Sequence, residues 1–152
     1  MSLLALDLAT VTGWCVWDDG YVDSSVEHFR KSPKEPRGAI AARLAEWLAD
    51  INEDYQLTAI VYEHPTPRGK GALLQYGMAL IVEKYAYLHD MEVGALYPST
   101  VKKAVAGSGR ASKEDVCAAV KGRLPQIVSL PDDNESDAIA LAIAWTEKEA
   151  KA

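Results

Sequence analysis

Histidine and cysteine are scarce in this chain, with three and two among 152 residues. Cys15 and Cys117 lie far apart and form no CxxC pair. A disulfide framework is therefore excluded, and a reduced, cytoplasmic setting is expected. No cluster of His and Cys has zinc-ligand spacing, which excludes a zinc site. No apolar run reaches the length of about 20 residues needed to span a bilayer, so no membrane partner is expected. The segment Met1–Asp7 has neither a basic region nor a small-residue cleavage site, and it reads as the first strand of the mature protein rather than a signal peptide. Internal repeats, low-complexity tracts and long linkers are also missing. What is present is ordinary for one globular domain: 49% hydrophobic and 25% charged residues, in a chain long enough for one core and too short for two.

The net charge of −6 speaks, taken alone, against a nucleic-acid partner. Its distribution weakens that argument. Residues 64–123 carry nine Lys/Arg against five acids, a net of +4, and the remainder carries seven against seventeen, a net of −10. A metal enzyme that cuts DNA needs such segregation, with carboxylates to gather cations and a separate basic surface to meet phosphate. A randomly mottled surface would give the same counts.

The apolar pattern predicts the order β-β-β-α-β-α-β-α-α-α. Leu3–Ala9 is a short buried strand with one acid near its end. Thr12–Trp17 and Tyr21–Phe29 read as strands joined by an Asp18-Asp19-Gly20 hairpin. Ile40, Leu44, Trp47, Leu48 and Ile51 recur at helical spacing within Pro36–Asp54. Thr58–Tyr62 is a strand ending at Glu63 and broken by His64-Pro65-Thr66-Pro67. Arg68–Asp90 is helical after a Gly-rich start, and Glu92–Tyr97 is a strand stopped by Pro98. A short helix follows over Ser99–Ala106. Ser112 N-caps another to about Lys121, with Asp115 completing a weak capping box. Pro131–Asp133 lead into a last helix, Asn134–Ala150. The expectation is an α/β fold: a mixed five-stranded sheet, three antiparallel strands and then parallel ones, flanked by helices.

Three acids stand out against this frame. Asp7 lies in a buried strand, where a charge needs a partner. Glu63 ends another strand, and neighbouring strand ends are where α/β sheets build sites. Asp137 lies one turn into an otherwise apolar helix that must pack on the sheet. Converging carboxylates repel, and a divalent cation removes the conflict. Oxygen ligands with few histidines suit Mg²⁺ or Mn²⁺. Two such ions about 3.5–4 Å apart can activate water and stabilise a leaving oxygen in phosphodiester hydrolysis. Each acid also has a plain structural reading: Asp7 as a turn former near Thr10 or Thr12, Glu63 as a salt-bridge partner, Asp137 as a helix N-terminal acid.

Leu6-Asp7-Leu8-Ala9-Thr10-Val11-Thr12-Gly13-Trp14 resembles the opening strand and turn of RuvC-like Holliday junction resolvases, members of the RNase H-like superfamily. Val61-Tyr62-Glu63 resembles their second acidic strand. The run from Pro98 through Val101-Lys102-Lys103, Gly107-Ser108-Gly109-Arg110 and Ser112-Lys113 is similar to a basic segment of the family, and Asn134-Glu135-Ser136-Asp137-Ala138 to its closing acidic helix. The order holds over nearly the whole chain, whose short loops look most like a phage-encoded or divergent member. The resemblance implies an RNase H-like fold, a homodimer, and Mg²⁺-dependent symmetric nicking of branched DNA that leaves 5′-phosphate and 3′-hydroxyl ends. Asp7, Glu63 and Asp137 would be the catalytic metal ligands. Asp7 would bridge two ions, Glu63 would bind one and Asp137 the other. Asn134 stands where the family usually has Asp or His. Its amide oxygen can bind metal without charge and more weakly, and Asp133 is the substitute candidate for a fourth ligand. An inactivating Asp-to-Asn change would read the same way.

Lys102 and Lys113 match the family's two basic positions, and Lys103 and Arg110 add charge beside them. Gly107 and Gly109 would let backbone N–H groups approach phosphate. Arg68 and Lys70 follow the Glu63 strand, in a region that enters the junction in family members. His64 is either a proton carrier or a plain loop residue. A helix bearing Leu73, Tyr76, Gly77, Leu80, Ile81, Lys84 and Tyr85 offers one face to the sheet and another to a partner, or is all monomer core. Tyr76 reads as a core or dimer residue, with base stacking the alternative. Rival readings are a nuclease of the same fold acting on flaps, forks or RNA, and a branched-DNA binding module that does not cut, which Asn134 favours. An actin-like phosphotransferase would need a second similar domain and a Gly motif for adenosine. The chain has neither, so no nucleotide cofactor is expected.

Overall fold

Alternation along the first strand determines how the chain layers. The structure, a computed structural model, describes residues 1–66, 68–127 and 133–152. Leu3 and Ala5 of β1 (Ser2–Asp7) pack into one core, while Leu4 and Leu6 pack into a second core on the opposite face. A strand buried on both sides must carry apolar residues at every position, as β1 does up to Asp7. β2 (Val11–Asp18) and β3 (Tyr21–His28) follow antiparallel, joined by the two-residue Asp19-Gly20 loop with both residues at positive φ. β4 (Ala59–Glu63) and β5 (Glu92–Leu96) then add in parallel, giving the order β3-β2-β1-β4-β5. This is the mixed five-stranded sheet expected from the sequence.

Helices α1 (Arg37–Tyr55) and α2 (Ala72–Leu88) cover one face with Ile40, Leu44, Leu48, Met78 and Val82. Helices α3 (Pro98–Ala106), α4 (Lys113–Arg123) and α5 (Asp133–Ala150) cover the other. Helix α5 is apolar on most sides because it is wedged between the sheet and α3 and α4, and Ala138–Ala144 are all buried. The Ser112 capping box is complete: Ser112 Oγ accepts from the Asp115 N–H at 3.1 Å, and Asp115 accepts from the Ser112 N–H at 3.1 Å. Among the described residues no helix is long and apolar enough to cross a membrane. Pro67 and Pro131, expected to mark a strand break and a helix lead-in, lie outside the described residues.

Two turns have local causes. The β1–β2 turn is tied by Thr12, whose hydroxyl donates to the Ala9 carbonyl at 2.6 Å and accepts from the Ala9 N–H at 3.3 Å. Gly107 has a backbone reason to be glycine. It is the left-handed C-cap of α3, at φ 84, and its N–H donates to the Lys103 carbonyl.

Candidate metal centre and basic cleft

The same alternation that builds the core also aims the acids. Leu3, Ala5 and Asp7 share one face of β1, and Ala59, Val61 and Glu63 share one face of β4; the first two of each set pack against α5. In the parallel register Leu6 pairs with Tyr62, and each strand ends one residue later, β1 at Asp7 and β4 at Glu63. Both acids thus end their strands on the α5 side. Asp137 comes from the first turns of α5. It lines, with Glu63, Pro98, Val101, Lys102, Lys113 and Ala140, a cleft of about 190 Å³.

The electrostatics of that cleft show in Glu63. Its carboxyl pKa is pushed up to about 7, first by burial and then by the like charge of Asp137, with Lys102 acting in the opposite direction. Two acids that repel inside a partly dry cleft, with lysines at its wall, make a cation-seeking arrangement. The donors are carboxylate oxygens, which fits Mg²⁺ or Mn²⁺. Among the described residues, no three His, Cys, Asp or Glu side chains are drawn into a ready-made cage.

A pH dependence follows with a definite sign. Between about pH 4.5 and 7 the folded protein keeps a proton on Glu63 that the unfolded chain has released. In this window the unfolded state binds fewer protons, so the stability contributed by Glu63 falls as pH rises. A cation must displace that proton. The rise in Tm given by Mg²⁺ is therefore expected to be several degrees larger at pH 8 than at pH 5.5, and an equal rise at both would contradict the assignment.

The basic residues divide. Lys102 and Lys113 line the acidic cleft. Lys103 does not; it lines a separate cleft of about 590 Å³ with Thr100, Lys148 and Lys151, between α3 and α5. Successive helical residues point about 100° apart, so adjacent lysines on α3 cannot both face the acids. Arg68, Lys70 and Arg110 are exposed on connections that follow β4 and α3. Asp133 is 59% exposed, its carboxylate 4.0 Å from Lys113 Nζ, and so stands at the rim. Asn134 is half-buried one residue further on.

Three features were not anticipated from the sequence. His64 stacks on Tyr97, centroids 4.1 Å apart, at the ends of β4 and β5 beside the cleft. Lys148 and Lys151 join Lys103. Glu135 is buried against β3. Its position three residues before Ala138 and seven before Ala142, both buried, is the signal that could have flagged it.

The family model described as crossover junction endodeoxyribonuclease RuvC matches residues 22–145. The chain is 42% identical over 76 residues to the RuvC protein of Gluconobacter oxydans, covering 50% of this chain and 43% of that one. It is 30% identical over 150 residues to RuvC of Dehalococcoides mccartyi strain 195, covering 94% of this chain and 90% of that one. The chain thus spans less than half of the first relative and nearly all of the second. In fold it is similar to Thermus thermophilus RuvC in complex with Holliday junction substrate, with a TM-score of 0.83, 24% identity, and 99% and 96% of the two chains covered. The sheet order, the two helical layers and these matches together establish that the chain belongs to the RuvC family of crossover junction endodeoxyribonucleases and has its RNase H-like fold.

Proposed function

We propose that this protein resolves Holliday junctions and related branched DNA by metal-dependent nicking, in the cytoplasm of a bacterial or phage-infected cell. The observation that carries the reading is the shared cleft of Glu63 and Asp137, walled by Lys102 and Lys113, at the sheet end where the paired strands β1 and β4 finish at Asp7 and Glu63. Asp7, Glu63 and Asp137 would hold Mg²⁺ or Mn²⁺, two ions per site, with the Asn134 amide oxygen or Asp133 completing the set. When bound, the ions supply charge stabilisation and an activated water for in-line attack on the phosphodiester. The protein's own residues do the rest. The carboxylates would hold the ions at the end of the cleft. Lys102 and Lys113 offset phosphate charge at the cleft wall. Arg68, Lys70 and Arg110, exposed on connections after β4 and α3, and Lys103 of the neighbouring cleft would meet flanking backbone, which orients DNA without reading sequence. The test compares nicking of a synthetic four-way junction, a flap and a linear duplex in Mg²⁺. Symmetric cuts in the junction with ligatable 5′-phosphate ends support the reading. Equal cutting of all three, or none in either Mg²⁺ or Mn²⁺, contradicts it.

The outer face of α2 supports a homodimer. Leu73 is 61% and Leu80 66% exposed, with Tyr76 and Gly77 between them on the same side. They are therefore not core, whereas Ile81 and Tyr85 pack inward. Large apolar side chains repeated along one helix stripe favour coverage by a partner. A twofold pair would match the symmetry of a four-way junction and place two cuts on opposite strands. Leu80→Lys is expected to turn a dimer into a monomer by sedimentation equilibrium at micromolar concentration. A variant that stays dimeric would place the contact elsewhere.

A further inference from the structure

The first turn of α5 carries an acid that the proposed reaction does not use. Glu135 is only 6% exposed, where α5 lies against β2 and β3. A carboxylate buried this far needs bonds to hold it. Its Oε1 accepts from the Ser24 hydroxyl at 2.6 Å. The Ser24 Oγ lies 2.8 Å from the Tyr21 hydroxyl, which donates to it because the Ser24 proton is already committed. Ser24 is itself fixed: its N–H donates to Asp23 Oδ1 at 2.9 Å, and Asp23 Oδ2 accepts from Tyr55 at the end of α1 at 2.7 Å. Edge strand β3 is thus tied to helices on both faces of the sheet.

The start of α5 also rests on β2, the neighbouring strand. Gly13 lies directly under the Asn134 carbonyl, so the helix end meets the strand backbone to backbone. Rotation matters because Asp137 projects from the next stretch of the same helix. At a side-chain radius of about 5–6 Å, a turn of about 20° moves a carboxylate by about 2 Å. Metal–ligand distances tolerate about 0.2 Å.

We propose that Glu135 is a positioning residue: by its bond to Ser24 it locks the rotation of the first turns of α5 and so holds Asp137 toward Glu63 in the cleft. The proposal rests in part on the metal-nuclease reading above, and its test separates the two. Glu135→Ala, Glu135→Gln and Ser24→Ala would be made in the full chain. Three quantities would be measured: Mn²⁺ binding by electron paramagnetic resonance without DNA, four-way junction affinity in EDTA, and metal-free hydrogen exchange at the amides of 137–140. Glu135→Ala is expected to weaken Mn²⁺ binding about tenfold or more and to speed exchange at 137–140, with junction affinity held within about twofold. Ser24→Ala should move the same two readouts in the same direction. Glu135→Gln keeps an oxygen that accepts from Ser24 and should stay within about threefold of the natural protein. Wild-type Mn²⁺ affinity and exchange in Glu135→Ala would overturn the proposal, as would a Gln variant as damaged as the Ala one. If Glu135→Ala does not fold, unchanged Mn²⁺ affinity in Ser24→Ala overturns it. If the natural protein binds no Mn²⁺, the nuclease reading fails, and exchange at 137–140 in Ser24→Ala alone decides the tie.

Discussion

Asp7→Asn is expected to reduce junction nicking by about three orders of magnitude or more, while junction affinity in EDTA stays within about threefold. The substitution keeps the size and one acceptor oxygen of the side chain, so packing at the end of β1 is little changed. What it removes is one negative charge at the end of β1, the strand paired with the one that ends at Glu63. A neutral amide is a poor ligand for a hard divalent cation. Losing one preorganised electrostatic contact in a dry site typically costs 10²–10³ in rate, and a residue that would hold the catalytic metal should cost at least as much. Binding should survive because the residues proposed to meet phosphate, Lys102, Lys113 and Arg110 among them, are untouched. The check is single-turnover cleavage of a labelled four-way junction in Mg²⁺ alongside gel-shift titration. Cleavage at the wild-type rate would remove Asp7 from the metal site.

Gly13→Ala is expected to damage both stability and activity, although the residue carries no functional group. A Cβ at this position would lie 1.8 Å from the Asn134 carbonyl oxygen, 2.2 Å from its carbonyl carbon and 2.9 Å from the Glu135 nitrogen. All three are backbone atoms, so no rotamer change relieves the clash, and either β2 or the start of α5 must move. Overpacking of this kind costs about 1–3 kcal/mol or more, which in a domain of this size lowers Tm by roughly 5–10 °C. Because the displaced turn carries Asn134 and leads into Asp137, nicking should fall about 100-fold even at temperatures where the variant is folded. Gly122→Ala is the control. Gly122 is exposed in α4 with nothing within 4 Å of an added Cβ, and there alanine should be neutral or stabilise by up to about 1 kcal/mol. Equal Tm values for the two variants, or full activity in Gly13→Ala, would contradict the close contact of β2 with α5.

These two sites also show what the sequence made legible. Alternation in Leu3–Asp7 and in Ala59–Glu63 determines strand, burial and facing together, so the acids could be read as candidates before any fold was known. Element order was equally readable, since Ser112 with Asp115, the Asp19-Gly20 turn and Pro98 act locally. Three-dimensional neighbours were not. Adjacent lysines Lys102 and Lys103 look alike in a charge pattern, but helical geometry sends them to different clefts. Gly13 reads as part of a motif, and only the fold reveals that it makes room for the backbone of a helix that begins 120 residues later. Glu135 sits between Asn134 and Asp137 and reads as one more polar residue at a helix start. Its burial depends on β3, whose Ser24 lies 111 residues away in the sequence. Tyr76, Leu73 and Leu80 belong to a helix whose apolar spread is visible, yet which of its faces meets the sheet is a tertiary outcome.

The cation that should reconcile the three acids can be located directly. A crystal soaked in Mn²⁺, with anomalous scattering recorded at the manganese edge, should show peaks at the C-terminal ends of β1 and β4, ligated by Asp7, Glu63 and Asp137. Manganese found only elsewhere on the protein, at concentrations that support nicking, would contradict the assignment of these carboxylates as the metal centre.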